Sequence, residues 1–112
     1  MKKIEAIIRM SKFEDVKAAL AEIDVRFFTL HDVRGYGLQQ GEKKIYRGTE
    51  YGTEFIERVQ MDILTTTEKC PQIVDVILKS GATGSVGDGK IAIHSLDKVY
   101  RIRNADQNAE AI

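Results

Sequence analysis

Residues 3 to 9 read Lys3-Ile-Glu-Ala-Ile-Ile-Arg9. Ile4, Ala6 and Ile8 share one face at period two, and Lys3, Glu5, Ile7 and Arg9 share the other, which is the pattern of a strand with one side in a core. Ser11-Lys-Phe-Glu14 follows with the spacing of a capping box, in which the Ser11 hydroxyl accepts from the Glu14 N–H and the Glu14 carboxylate reaches back. A helix over 12 to 22 is expected next, because Phe13, Val16, Leu20 and Ile23 recur near 3.6 spacing while Lys17 and Glu22 fall on the solvent side. Residues 25 to 36 return as a strand carrying Val25, Phe27, Phe28, Thr29, Leu30 and Val33.

The same order recurs further on. Val59, Met61 and Ile63 alternate with Gln60 and Asp62, and a helix is expected from near Thr67, with Pro71 in its first turn where a missing N–H does little harm. Ile73, Val74, Ile77 and Leu78 make its apolar stripe, and Gly81 stands where a C-cap glycine would. Residues 90 to 94 read as a strand with Ile91 and Ile93 inward, and a short last strand is expected over 98 to 103. Strand, helix, strand, twice over, is the ferredoxin-like βαββαβ order. It is an α+β fold in which two helices cover one face of an antiparallel sheet. The repeats are joined by residues 37 to 56, a connection longer than compact domains commonly use, with Gly37, Gly41, Gly48 and Gly52 among Gln, Lys and Glu. Such a segment is expected to be mobile, exposed and functional.

The chain has 112 residues, 17 Lys+Arg against 17 Asp+Glu, one Cys and one Pro. That length fits a single domain with a modest core. Zero formal net charge excludes binding of DNA or RNA by bulk electrostatics, and it leaves room for a local anion site. Cys70 has no partner in the chain and no zinc-type spacing, so a reducing, cytoplasmic setting is the default expectation. Residues 1 to 9 are too short and too charged for a signal peptide, and no apolar run reaches about 18 residues, so a soluble protein is expected.

Thr83-Gly-Ser-Val-Gly-Asp-Gly-Lys90 is the most informative motif, since its three glycines allow backbone N–H groups to turn inward on an anion. It contains a partial Walker A pattern, but Ile91 stands where Ser or Thr would hold Mg2+, and a loop between helix and strand has the wrong order for a P-loop. A tight αβ turn explains the glycines as well. Arg101 and Arg103 stand two apart on an expected strand, so both guanidinium groups project from one face toward a polyphosphate, or serve as edge charges against aggregation. Gly35-Tyr-Gly37-Leu-Gln-Gln-Gly41 misses the dinucleotide fingerprint and leaves a strand without opening a helix. His31, His94 and Cys70 read as ordinary structural residues, without an acidic or Cys partner at ligand spacing.

From Met1-Lys-Lys-Ile4 to the closing Ala-Ile112 the sequence resembles the PII nitrogen-regulatory signal-transduction proteins. The likeness rests on Tyr46-Arg-Gly-Thr-Glu-Tyr51, on Thr83-Gly-Ser-Val-Gly-Asp-Gly-Lys90 and on Arg101-Ile-Arg103. It implies a homotrimer that is not an enzyme and that binds ATP or ADP in clefts between subunits. Gly35, Gly37, Leu38, Gln39, Gly87, Asp88, Gly89 and Lys90 would serve the phosphate side, Arg101 and Arg103 would reach across from the neighbouring subunit, and Thr29 and Leu64 would line the base pocket. Gln39 with Mg2+-ATP would bind 2-oxoglutarate, with Arg58 pairing its distal carboxylate. Residues 37 to 55, including Tyr46, Arg47 and Glu50, would dock an ammonium transporter or a nitrogen-assimilation enzyme, touching the membrane only through such a transporter. Tyr51 corresponds to the position that a uridylyltransferase modifies in some relatives.

The sequence departs from the family pattern at Leu38, where Arg is usual, at Ser85 and Arg58, where Lys is common, and at Met10-Ser11, where Pro-Phe is usual. A lost charged hydrogen bond at position 38 is worth about 1.5 to 3 kcal/mol, enough to alter the balance of ATP against ADP. The reading from another class is a small ferredoxin-like, nucleotide-dependent enzyme with His94 or His31 as phosphoryl acceptor.

Overall fold

A computed structural model of the protein describes residues 1–38, 44–46, 49–51 and 53–112, with the backbone alone described at 38, 44–46, 49–51 and 53–55. The order is β1 (Lys2–Arg9), α1 (Phe13–Glu22), β2 (Thr29–Leu38), β3 (Lys44–Tyr46), β4 (Thr49–Tyr51), β5 (Thr53–Thr65), α2 (Cys70–Gly81) and β6 (Gly89–Ser95). The main sheet has the strand order β2-β5-β1-β6 with every pairing antiparallel, and β3 pairs with β4 in a separate two-stranded ribbon. This is the ferredoxin-like arrangement, with β1 central because it pairs with β5 on one side and β6 on the other.

The register explains the alternation. Ile4, Ala6 and Ile8 sit opposite Ile63, Met61 and Val59, and all six are buried. They pack against Val16 and Leu20 of α1 and against Ile73 and Ile77 of α2, so both helices lie on that face. The other face carries Lys3, Glu5, Ile7, Gln60, Asp62, Leu64 and His31.

Several local expectations change. No capping box forms: Ser11 lies within a 3₁₀ turn, Met10–Lys12, so α1 starts at Phe13, one residue later than a Ser11 cap would place it. Glu14 instead pairs with Lys17 at 2.9 Å. The helix ends in a reversal at Asp24, whose φ of 61° is left-handed, and Val25 N–H donates to the Leu20 carbonyl at 2.9 Å. That tie keeps residues 25 to 28 out of the sheet, so β2 begins at Thr29 rather than at 25.

The second helix begins at Cys70, after a turn in which the Lys69 N–H donates to Thr66 Oγ1 at 3.2 Å, with Pro71 in its first turn as expected. Gly81 is the last helical residue and is not a left-handed cap; Ala82 closes the helix with extended backbone. Leu78 and Ile93 are 58% and 51% exposed, so the expected inward stripe is complete only at Ile73 and Ile77. Ile93 pairs with Ile4 and shares its face, but β6 is an edge strand, with no strand paired outside it among the described residues.

The expected strand over 98 to 103 does not form. The Arg101 N–H donates to the Asp106 carbonyl and the Ala105 N–H to the Arg101 carbonyl, both at 2.8 Å. Left-handed backbone at Ala105 and Asn108 completes a tight reversal with one isolated bridge, Tyr100 to Gln107. The linker is also shorter than expected, since β2 extends through Leu38 and β5 starts at Thr53.

Candidate functional site

Among the described residues, the glycine loop with Arg58 and the arginine pair with Thr29 and Leu64 gather in two places, at opposite ends of the main sheet. At the end where β1 finishes, the 82 to 88 loop returns to β6 through Gly87 and Gly89, whose φ values are 102° and 99°. Two guanidinium groups lie over this loop. A Cβ at Gly87 would stand 2.8 Å from Arg58 Nη2 and 3.3 Å from Arg9 Nη2, so glycine here makes room for both.

Asp88 binds the loop together. Its carboxylate accepts from the Thr83 hydroxyl, from the Thr83 and Gly84 N–H groups at 2.8 and 2.9 Å, and from Arg9 Nε at 2.8 Å. Arg9 also donates through Nη2 to the Val86 carbonyl at 2.9 Å. The Thr83 hydroxyl bond above all, then Arg9 and the two amides, holds the Asp88 carboxyl well below the usual carboxylate range. Arg58, 7% exposed, donates to the Glu57 carbonyl at 3.3 Å. Burial first and the Arg9 charge second lower its pKa, and Asp88 opposes them. Lys90 is exposed on β6 beside Ile7 and has no ion-pair or hydrogen-bond partner among the described residues. Gly35 and Gly37 lie along β2 beyond the Val33–Arg58 pair, at this same end.

At the opposite end a cleft of about 940 Å³ opens beside the start of β2 and the end of β5. Thr29, Leu64, Arg101 and Arg103 all line it, together with Arg26 and Lys69, and among the described residues Asp24 is its one acidic side chain. The arginines reach it from the reversal at 101 to 106, so strand alternation is not what aims them. Arg101 is held by Asp106 at 3.2 Å and by the Ile112 carbonyl at 3.4 Å, while Arg103 has no such partner among the described residues. Lys69 donates to the Ile23 carbonyl at 2.7 Å, and Arg26 approaches Asp24 at 3.5 Å. A cleft of this size lined by four cations suits an anionic ligand with an apolar part.

Sequence reasoning missed Arg9, Arg26 and Lys69, and read Thr83 only as the opening residue of the glycine motif. Arg9 was legible only as an outward strand residue; its tie to Asp88 joins positions 79 apart. The histidines do have acidic partners, which in-strand spacing cannot reveal. His31 Nε2 is 2.9 Å from Asp62 across β2 and β5, His94 Nε2 is 3.8 Å from Glu5, and Gln60 Nε2 donates at 3.1 Å to both carboxylates. Cys70 is buried. Gln39 and Arg47 lie outside the described residues; Leu38, Tyr46, Glu50 and Tyr51 are placed by backbone register alone, opposite Thr53, Thr49, Ile45 and Lys44. Among the described residues no group of three or more His, Cys, Asp or Glu is placed to hold a metal ion. Nor is any helix among them long and apolar enough to cross a membrane.

The family model described as nitrogen regulatory protein P-II matches residues 1–106. Nitrogen regulatory protein P-II of Pasteurella multocida is 41% identical over 112 residues, covering all of both chains, and that of Pyropia yezoensis is 43% identical with the same coverage. Among solved structures, Arabidopsis thaliana PII bound to citrate superposes with a TM-score of 0.79 at 28% identity, covering 98% of this chain and 87% of that one. The family match over residues 1–106 and full-length relatives at this identity place the chain in the nitrogen regulatory protein P-II family.

Proposed function

We propose that this chain is a P-II signal transducer that binds ATP or ADP between copies of itself in a homotrimer, without turning the nucleotide over. The observation that carries the reading is the division of its cationic residues between the two ends of one sheet. Gly89 sits opposite Ile8 on β1 and Leu64 opposite Lys3, so the loop and the cleft stand roughly 17 Å apart along the strands. Each copy therefore offers two half-sites. A closed ring sets the loop end of one copy against the cleft end of the next, and every subunit boundary then holds one complete site. Lys90, Gly87 and Gly89 would face the phosphates, with Arg101 and Arg103 across the boundary and Thr29 and Leu64 at the base.

Arg58 supports a second ligand. Its guanidinium stands with that of Arg9 above Gly87, and Arg9 is already engaged by Asp88, which leaves Arg58 for an added carboxylate such as that of 2-oxoglutarate. In the solved Arabidopsis protein the bound molecule is a polycarboxylate, citrate. Gln39 and Mg2+ belong to this part of the proposal, as does a cytoplasmic location. Residues 37 to 55 would contact an ammonium transporter or nitrogen-assimilation enzyme, with Tyr51 available to a uridylyltransferase. Ligands act by binding one loop arrangement better than another, which shifts the population that partners meet.

Calorimetry of ATP and ADP binding to the wild type, Lys90→Ala and Arg103→Ala tests the reading. Each variant is expected to weaken binding at least tenfold, since each removes a charged phosphate contact. Unchanged affinity in both variants would sink it. Steady ATP consumption abolished by His94→Ala would favour the enzyme instead.

A further inference from the structure

Phe27 is 89% exposed and lines the mouth of the cationic cleft. Its neighbours are anchored. Val25 is tied to the Leu20 carbonyl and buried, and Phe28 turns into the core, edge-on to Phe13 with ring centroids 6.3 Å apart. Between those two anchored residues, Phe27 is left almost wholly exposed and faces the same cleft that Phe28 also helps to line. The ring is a large exposed apolar face that shares the lining of the cleft with Thr29, Leu64, Arg101 and Arg103.

We infer that Phe27 is a stacking residue for the base of a nucleotide whose phosphates extend away past the arginines. The inference rests on the nucleotide reading above and adds to it a residue that decides what kind of anion the cleft prefers. Cations alone would accept any polyphosphate. An exposed aromatic ring gains only when a flat partner covers it, and a nucleobase supplies both the flat face and the tethered charge. Discrimination between a nucleotide and a bare polyphosphate then lies at Phe27, and attraction of charge lies at the arginines.

The test is titration of ATP, adenosine and inorganic triphosphate into the wild type, Phe27→Ala and Arg103→Ala, with the assembly mass of each measured in solution. Phe27→Ala is expected to weaken ATP and adenosine by a common factor of roughly five- to a hundredfold, the range for losing one base stack, and to leave triphosphate unchanged. Arg103→Ala is expected to weaken ATP and triphosphate and to spare adenosine. Because the chain contains no Trp, Phe27→Trp adds a single indole whose emission is expected to be quenched at ATP saturation.

Equal ATP and adenosine affinity in wild type and Phe27→Ala, with Arg103→Ala still impaired, overturns the stacking role alone. A fall in assembly mass in Phe27→Ala overturns it in favour of a subunit contact. A wild type that binds neither ATP nor adenosine overturns the nucleotide reading and the stacking role together.

Discussion

Gly89 enters β6 with a φ of 99°, and a Cβ there would collide with the Ile7 carbonyl oxygen, so only glycine lets the loop close onto β1. The next residue back does the holding. Asp88 gathers one hydroxyl, two amides and a guanidinium, and each of these favours the charged carboxylate. A carboxyl whose folded pKa is lowered contributes stability in full above its unfolded value, here 3.8, and loses that contribution progressively as pH falls from there to the lowered folded value. Wild type is therefore expected to exceed Asp88→Asn in stability by a gap that is constant from neutral pH down to about 4 and narrows below it. Urea melts of both proteins across that range check the prediction, and a gap independent of pH down to 2 would contradict it. The glycines of this loop were readable as backbone positions because positive φ is a local demand. The carboxylate's partner Arg9 was not, since their meeting depends on β1 and β6 lying side by side.

At the scale of elements, alternation over 3 to 9 and 59 to 63 identified strands correctly because burying one side of a sheet leaves a period of two in the chain itself. Element ends were less legible. Ser11 and Glu14 have capping-box spacing, yet a 3₁₀ turn ahead of α1 moves Ser11 off the cap position. Ser11→Ala is therefore expected to cost under about 0.5 kcal/mol, where a true serine cap would cost about 1 kcal/mol. Gly81 lies within the last turn of α2, and a Cβ there would meet Val16 Cγ2 at 3.5 Å and Ile8 Cγ2 at 3.8 Å, ordinary packing distances. With helical backbone and room for a methyl group, Gly81→Ala is expected to stabilise the protein by about 0.4 to 1 kcal/mol. Urea midpoints decide both, and a large loss at either position would restore the capping roles that the spacing suggested. The segment at 98 to 103 failed as a strand for a related reason. Left-handed backbone at Ala105 and Asn108 folds it on itself, and neither residue is a glycine that would have announced the turn.

For the molecule as a whole, the motifs were legible and their division was not. Arg101, Arg103, Thr29 and Leu64 collect at one end of the sheet, and Lys90, Gly87, Gly89 and Arg58 at the other, because antiparallel register runs β1 between them. No local pattern in the chain encodes that separation; it emerges only when the four strands are aligned. If the two ends of neighbouring copies build each site, a defect at one end and a defect at the other must complement. Chains carrying Lys90→Ala keep an intact cleft, and chains carrying Arg103→Ala keep an intact loop. In assemblies formed from equal amounts of the two, the loop and the cleft at each boundary come from independently drawn chains, so about one quarter of boundaries pair two intact halves. Co-expressed, co-purified mixtures are expected to bind ATP at wild-type affinity with about one quarter of the wild-type stoichiometry, while each variant alone binds weakly at every site. A site contained within one copy would behave differently, since every chain in the mixture would carry a damaged site and no tight binding would reappear. Stoichiometry by calorimetry thus separates a shared site from a private one without any need to see the interface.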